Sequence, residues 1–140
     1  MSILDPATVL ALAIQCAPVA VDPHLILSIA RTESGLDPSA VHVNANGTRD
    51  VGLMQVNTAN WSWLGLNEQT ALDPCQSISA GVRVLTALSA YNTGRPTAGI
   101  SNGYVGRVLS TYHAPLSPHR GPRSAAPVTL TLSDQFLSPN

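Results

Sequence analysis

The stretch PHLILSIARTESG, residues 23–35, predicts an apolar helix that ends on one acidic side chain. Asp22-Pro23 is typical of a helix start, because the aspartate caps the helix and a proline at the first helical position has no N–H to leave unbonded. Gly35 is typical of the residue that follows a helix. Glu33 comes one turn beyond the last apolar positions on the same face, so we expect it to point towards the interior or a cleft. The apolar positions of that face are Leu25, Ile26, Ile29 and Ala30.

The setting of Glu33 suggests acid chemistry. A carboxyl group held against apolar neighbours has its charged form disfavoured, so it can stay protonated near neutral pH and donate that proton. The alternative is a solvated glutamate in the last turn of a surface helix, which is the more frequent situation for this residue type. The helix pattern alone does not distinguish a buried acid from a solvated glutamate, so the evidence must come from the rest of the sequence.

Length and composition exclude several classes of function. The 140 residues fit one domain with an extendable tail, and 44% hydrophobic against 11% charged residues allows a core under a charge-poor surface. The net charge of −1, with seven unclustered Lys and Arg, argues against a nucleic-acid partner. No window approaches the roughly 20 apolar residues of a membrane span, and residues 1–5 lack the basic start of a secretory signal. The four histidines are scattered and indicate no metal site: His24, His42, His113 and His119.

Further helices are predicted on both sides of residues 23–35. Asp5-Pro6 starts a first helix that Pro18 ends, and Asp73-Pro74 starts a long one that continues to Gly94. A last helix is expected over residues 104–112. Residues 114–140 are rich in proline and serine, and we expect them to be a mostly disordered tail after a domain of residues 1–113.

The segment between the second and the long helix is less regular. Val41-His42-Val43 alternates briefly before the turn signal Asn46-Gly47, which fits a small hairpin or an irregular loop. A helix is then expected from about Leu53 to Trp61, with Gly65 closing the segment. The expected fold class is therefore mainly α: an α+β fold with at most a small hairpin. The two cysteines, Cys16 and Cys75, fit either two buried free thiols or one disulfide.

Four short motifs follow one another in a fixed order. They are Glu33-Ser34, Gly52-Leu53-Met54-Gln55, Ala90-Tyr91-Asn92-Thr93-Gly94 and Gly103-Tyr104-Val105. The ordered set resembles the signature of the lysozyme-like lytic transglycosylases, the soluble-lytic-transglycosylase catalytic domain, over roughly residues 7–112. The resemblance implies a lysozyme-like fold, a peptidoglycan glycan strand as substrate and no cofactor.

A finer resemblance is to the transglycosylase that accompanies type IV secretion and conjugation systems. The segments that carry it include Cys16-Ala17-Pro18, residues 50–57, Asp73-Pro74-Cys75 and residues 87–94. In that branch cysteines at these two places are common, which favours a Cys16–Cys75 disulfide. The resemblance also implies export to the periplasm and envelope secretion components as possible partners.

Glu33 would act alone in this chemistry. It would first protonate the oxygen of the leaving sugar and then act as a base, while the 6-hydroxyl of the substrate closes on C1 to give a 1,6-anhydro product. The other site residues follow from the resemblance. Ser34 would hold the substrate or orient Glu33, Met54 and Gln55 would line the cleft, and Tyr91 and Asn92 would contact or fix it. Tyr104 resembles the family tyrosine whose hydroxyl hydrogen-bonds the catalytic acid.

Other readings remain open. A lysozyme-type hydrolase would use a second carboxylate, for which Asp50 is the candidate beside the motifs. A catalytically inactive peptidoglycan-binding or assembly protein would keep the fold without turnover. For Trp61 and Trp63 we favour core packing over a sugar platform.

The chain departs from the secretion-linked relatives before Tyr91. In those relatives a helix, a loop and a further helix lie between the regions of Asp73-Pro74-Cys75 and Ala90-Tyr91-Asn92. Here Val84–Leu88 joins the two regions directly, so a single helix of about five turns is expected. Without a bend, such a helix would carry Tyr91 and Asn92 away from the cleft.

Overall fold

A computed structural model of the protein describes residues 2–93, and the side chains up to residue 90. The predicted helix over residues 104–112, Tyr104 itself and the expected tail lie outside the described residues. In chain order the elements are helices α1 (Pro6–Cys16) and α2 (Pro23–Ser34), strands β1 (Val41–Val43), β2 (Arg49–Val51) and β3 (Val56–Asn57), a 3₁₀ helix (Thr58–Asn60), helix α3 (Trp61–Leu64), a second 3₁₀ helix (Thr70–Leu72) and helix α4 (Pro74–Thr93). This order confirms the mainly α class with a small sheet. Within the described part of the chain, no helix is long and apolar enough to cross a bilayer.

Three Asp-Pro pairs start the three long helices, as predicted. Asp5 Oδ1 accepts a hydrogen bond from the Thr8 N–H at 3.0 Å, Asp22 Oδ1 accepts one from the His24 N–H at 2.9 Å, and Asp73 Oδ1 accepts one from the Gln76 N–H at 2.9 Å. In each case the aspartate satisfies an N–H that has no partner inside the helix, and the following proline has none to satisfy. Capping is therefore what sets where these helices begin.

The irregular segment forms a small antiparallel sheet in the order β1-β2-β3. Val41 lies opposite Val51 in the first pair, and Asp50 lies opposite Asn57 in the second. The turn between β1 and β2 closes through a hydrogen bond from the Asn44 N–H to the Thr48 carbonyl oxygen at 2.8 Å. Of the two alternatives left by the sequence, the hairpin is therefore present, and β3 adds a third strand to it.

The helix expected from Leu53 to Trp61 is wrong. Gly52 and Gln55 have φ of 85° and 52°, in the left-handed region where an α-helix cannot continue. The chain instead turns, pairs as β3 and enters a 3₁₀ helix capped by Asn57, whose side-chain oxygen accepts from the Ala59 N–H at 2.9 Å. Between Leu53 and Gly65, the α-helical residues are Trp61–Leu64, and this short helix ends at Gly65 as expected.

The core lies between α1, α2 and α4, with the Gly52–Gln55 segment packed into it. Its members are apolar and buried, and the large side chains with almost no exposed surface include Val9, Ile26, Leu53, Met54, Ile78, Val82 and Leu85. Helix α4 runs without interruption over 20 residues, which confirms the single long helix expected from the shortened join. A disulfide between Cys16 and Cys75 joins the end of α1 to the start of α4, with Cα atoms 5.3 Å apart, so the free-thiol alternative is wrong.

Candidate active site

Glu33 lies in the last turn of α2, at the point where the helix stops. Gly35 takes the left-handed conformation with φ of 64°, and its N–H bonds back to the carbonyl oxygens of Ala30 and Arg31. The Glu33 side chain is half-buried, and its Oε1 atom is shielded from solvent. A glutamate on an open helix surface would have both oxygens in water. The geometry therefore fits the expectation that Glu33 faces the interior or a cleft.

Ser34 ties the end of α2 to the Gly52–Gln55 segment. Its Oγ lies 3.0 Å from the carbonyl oxygen of Ala30 and 2.7 Å from that of Leu53. A hydroxyl has one proton to donate, and both acceptors within reach belong to the backbone. Of the two expected roles for Ser34, the contacts favour orienting its neighbour Glu33 over holding a substrate.

The Gly52–Gln55 segment forms a tight turn that the surrounding backbone fixes. The Gly52 N–H donates to the Ala40 carbonyl at 2.8 Å, and the Gln55 N–H donates to the Gly52 carbonyl at 3.0 Å. A Cβ at position 52 would overlap the carbonyl oxygen of Ala71, so the segment approaches residue 71 as closely as only glycine allows. The turn is thus set by its contacts rather than by local propensity.

Gln55 is part of this turn and not of an open cleft wall. Its side chain is buried, and its Nε2 donates to the carbonyl oxygens of Ala40 and Gly52, each at 3.0 Å. Both amide protons are therefore used inside the protein. The expected use of the Gln55 amide to read an acetamido group needs revision, since the described contacts give its N–H groups a structural role.

Met54 is also a packing residue. Its side chain is completely buried, which leaves no surface for a sugar, so the expected contact between its sulfur and sugar faces is not supported. A Cβ at Gly81 of α4 would lie 2.9 Å from Met54 Cε and 3.0 Å from its Cβ. Glycine at position 81 therefore lets α4 approach Met54 closely.

Sequence reasoning missed the two α4 residues that receive this segment. Ser77 is fully buried, and its Oγ accepts a hydrogen bond from the Met54 N–H at 3.0 Å. Gly81 follows one helical turn later on the same face. A glycine inside an otherwise apolar helical pattern is a signal of close backbone approach, and it would have pointed to this contact.

The remaining motif residues are only partly described. Tyr91 and Asn92 lie in the last turn of helix α4, and their side chains are outside the described part of the structure. Tyr104 is outside it altogether. The structure therefore joins Glu33-Ser34 to the Gly52–Gln55 segment through the bond from Ser34 to the Leu53 carbonyl oxygen, and the relation of these residues to the other three stays a prediction.

Asp50, the candidate second carboxylate, belongs to the sheet. It lies on β2 with 6% of its surface exposed, and its Oδ1 accepts a hydrogen bond from Asn57 Nδ2 at 2.8 Å. A carboxylate that attacks a sugar or activates a water must reach solvent and substrate. Burial and the bond to Asn57 therefore favour a structural role for Asp50.

The two tryptophans differ in their surroundings. Trp61 packs partly buried against the core and donates its Nε1–H to the Val56 carbonyl at 3.3 Å. Trp63 is 43% exposed, and its ring lies 5.5 Å from the guanidinium carbon of Arg83. The prediction that both tryptophans pack in the core therefore fits Trp61 better than Trp63.

The charged groups near α3 are paired on the surface. The guanidinium of Arg49 stacks on Trp61 at 5.8 Å and forms an ion pair with Glu68. Hydrogen bonds from Arg49 hold the pKa of Glu68 below its usual value, and the same bonds raise the pKa of Arg49. Within residues 2–93, no group of three His, Cys, Asp or Glu side chains could hold a metal ion.

The sequence is similar to a known protein family and to several curated proteins. A family profile described as "Transglycosylase SLT domain" matches residues 13–124. Protein virB1 of Agrobacterium fabrum is 36% identical over 135 residues, which cover 67% of this chain and 55% of that protein. Invasion protein IagB of Salmonella typhimurium (strain LT2) is 31% identical over 104 residues, covering 71% of this chain and 59% of the relative. Protein IpgF of Shigella flexneri is 35% identical over 85 residues, covering 50% and 56%.

The matches differ in how much of each protein they cover. The chain spans about half the length of the curated relatives it matches, and no solved structure matches it. The family profile, in contrast, extends over most of the chain and includes every motif quoted from the sequence, from Glu33-Ser34 to Gly103-Tyr104-Val105. The protein therefore belongs to the transglycosylase SLT domain family.

Proposed function

We propose that the protein is a lytic transglycosylase that cleaves the β-1,4 bond between N-acetylmuramic acid and N-acetylglucosamine in peptidoglycan. The observation that carries the proposal is the setting of Glu33. It is a half-buried carboxyl group at a helix end, and its neighbour Ser34 bonds to the Leu53 carbonyl oxygen in the Gly52–Gln55 motif. Asp50, in contrast, is buried and bonded to Asn57. Of the two carboxylates weighed for catalysis, this leaves Glu33, and a transglycosylase needs one carboxylate where a lysozyme-type hydrolase usually needs two.

Glu33 would act twice in this reaction. As an acid it gives its proton to the glycosidic oxygen, and the bond from that oxygen to C1 of the muramic acid breaks. The N-acetyl group of the substrate assists at C1. The Glu33 carboxylate then takes the proton of the 6-hydroxyl, while the oxygen of that hydroxyl forms the new bond to C1. This closes the 1,6-anhydro ring, returns the proton to Glu33 and consumes no water.

The proposed setting is the periplasm, where the enzyme would open the wall for a secretion or conjugation apparatus. Two observations support this setting: the similarity to Protein virB1, and the resemblance of the sequence motifs to the transglycosylases of type IV systems. The Cys16–Cys75 disulfide fits an oxidising compartment. Components of such a machine would be the protein partners.

The test is digestion of purified peptidoglycan by wild type and two matched variants. Glu33 and Glu68 are the two glutamates of the chain, so Glu68→Gln makes the same chemical change at an exposed surface ion pair. We expect Glu33→Gln to lower the rate of muropeptide release by about a hundredfold to ten-thousandfold, the usual contribution of a general acid. Glu68→Gln should release muropeptides as wild type does.

Two results would count against the proposal. Retained release by Glu33→Gln would remove Glu33 from the chemistry. Wild type that binds glycan strands and releases nothing would support the inactive binding protein instead.

A further inference from the structure

One peptide group lies between the candidate acid and helix α4. The Leu53–Met54 peptide presents its carbonyl oxygen to Ser34 Oγ, at 2.7 Å, and its N–H to Ser77 Oγ, at 3.0 Å. In a trans peptide the C=O and N–H point in opposite directions, so the two serines hold this group from opposite sides. We name the pair Ser34 and Ser77 the serine clamp.

The serine clamp joins two separate elements through that peptide. Ser34 is the residue after Glu33 on α2, and Ser77 belongs to the first turn and a half of α4. Both contacts are within ordinary hydrogen-bond distance, and Ser77 is fully buried. A hydrogen bond at one end of a peptide polarises the group and strengthens the bond at the other end. The acceptor that Ser34 uses is therefore set in part by Ser77.

The surroundings of Ser77 leave little room for another arrangement. Its N–H continues the helix by donating to the Asp73 carbonyl at 2.9 Å. A Cβ at Gly52 would lie 3.2 Å from Ser77 Oγ, so the hydroxyl sits close against the start of the turn as well. Loss of this hydroxyl would leave the buried Met54 N–H without its acceptor, and the turn would have to move to find another.

We propose that Ser77 is a positioning residue for Glu33, acting through the Leu53–Met54 peptide and Ser34. The proposal rests on the proposed function, because positioning matters only if Glu33 delivers a proton. It adds a residue on α4 to the machinery of the site, four helical turns before Tyr91. Ser77 does not touch substrate in this account.

The test compares Ser77→Ala, Ser34→Ala and the double variant with wild type. Ser79→Ala is the matched control: Ser79 is on the same helix, half-buried, and makes no hydrogen bond to the Gly52–Gln55 segment among the described residues. Four quantities are measured on folded protein. They are kcat and KM on soluble glycan strands, hydrogen exchange of the Met54 amide, and the ¹³C resonance of the Glu33 carboxyl group at fixed pH.

We expect Ser77→Ala to lower kcat by about tenfold to a hundredfold with KM changed by less than about twofold, because a small displacement of a catalytic group costs rate more than binding. Ser34→Ala should act similarly. The double variant should lose less than the product of the two losses, since both act on one peptide. The Met54 amide should exchange faster and the Glu33 resonance should move in Ser77→Ala, and Ser79→Ala should match wild type throughout.

The outcomes separate this inference from the proposed function. If wild type shows no turnover but Ser77→Ala moves the Glu33 resonance, the structural link from Ser77 to Glu33 stands and the proposed activity falls. If Ser77→Ala leaves that resonance and kcat at wild-type values, the inference is overturned while the activity stands. Multiplicative losses in the double variant would also overturn it. Should Ser77→Ala fail to fold, Ser34→Ala decides, because unchanged Met54 exchange in that variant would mean that the two serines do not share one peptide.

Discussion

At the scale of single residues, Glu33 depends on its neighbours for its role. A glutamate near a helix end is common in proteins, so the helix position alone does not indicate a catalytic group. What distinguishes it is the shielded Oε1 and the tie from Ser34 to the Leu53 carbonyl. Asp50 is the opposite case, since it lies two residues before the Gly52–Gln55 motif in sequence, but its carboxylate is buried and bonded to Asn57. Burial and hydrogen bonding, rather than residue type, are the grounds on which we propose different roles for the two carboxylates.

Asp50→Asn tests this assignment. Asparagine keeps a side-chain oxygen that can accept from Asn57 and removes only the negative charge. We expect the variant to retain kcat within about threefold of wild type and to form the same products, because the charge has no part in the proposed chemistry. The measurement is the steady-state rate of muropeptide release. A loss of a hundredfold or more, of the order that removal of a catalytic carboxylate causes, would restore the hydrolase reading.

At the scale of elements, local signals were enough for the helices and not for the turn between them. Asp-Pro capping predicts the starts of α1, α2 and α4 correctly, because the cap involves residues two or three positions apart. The Leu53–Trp61 prediction failed at Gln55, which has a positive φ and whose side chain bonds to the carbonyl oxygen of Ala40, 15 residues away. The close contact of Gly81 with Met54 likewise joins distant parts of the chain. In the sequence, the only local sign of these contacts is the glycine at each close approach, Gly52 and Gly81.

The turn itself is tested by Gly52→Ala. A Cβ there would overlap the Ala71 carbonyl oxygen at a φ of 85°, so backbone strain and a backbone clash add. We expect a loss of about 3–5 kcal/mol in the free energy of unfolding, measured by urea denaturation. Gly65→Ala is the control, because its φ of 69° is similar and nothing lies within 4 Å of the new Cβ. It should lose only the cost of the backbone conformation, about 1–2 kcal/mol. Equal losses in the two variants would mean that the contact with residue 71 is unimportant.

At the scale of the whole molecule, α1, α2 and α4 form one core that carries the candidate site at the end of α2. The sequence predicted the mainly α class, and the family profile agrees with the ordered motifs. The Cys16–Cys75 pairing was open from composition and spacing, and it became an expectation only through resemblance. The reason is physical: two cysteines 59 residues apart can meet only if the fold brings them together. The disulfide then holds the start of α4 close to the end of α1.

Removal of this disulfide should destabilise the protein without changing its site. For the double variant Cys16→Ser/Cys75→Ser we expect a loss of about 2–4 kcal/mol in the free energy of unfolding, because the bond closes a long loop of the unfolded chain. Urea denaturation of wild type with and without a reducing agent gives the same comparison. The reducing agent should have no effect on the double variant. If wild type is equally stable in both conditions, the bond does not contribute to stability.

The central claim is that one carboxylate, Glu33, drives a reaction that consumes no water. Digestion of peptidoglycan in ¹⁸O-labelled water, followed by mass analysis of the released muropeptides, tests it most directly. A transglycosylase closes the 6-hydroxyl onto C1, so we expect 1,6-anhydro products that carry no ¹⁸O. A hydrolase puts an oxygen from water on C1, and ¹⁸O in reducing-end products would contradict the account.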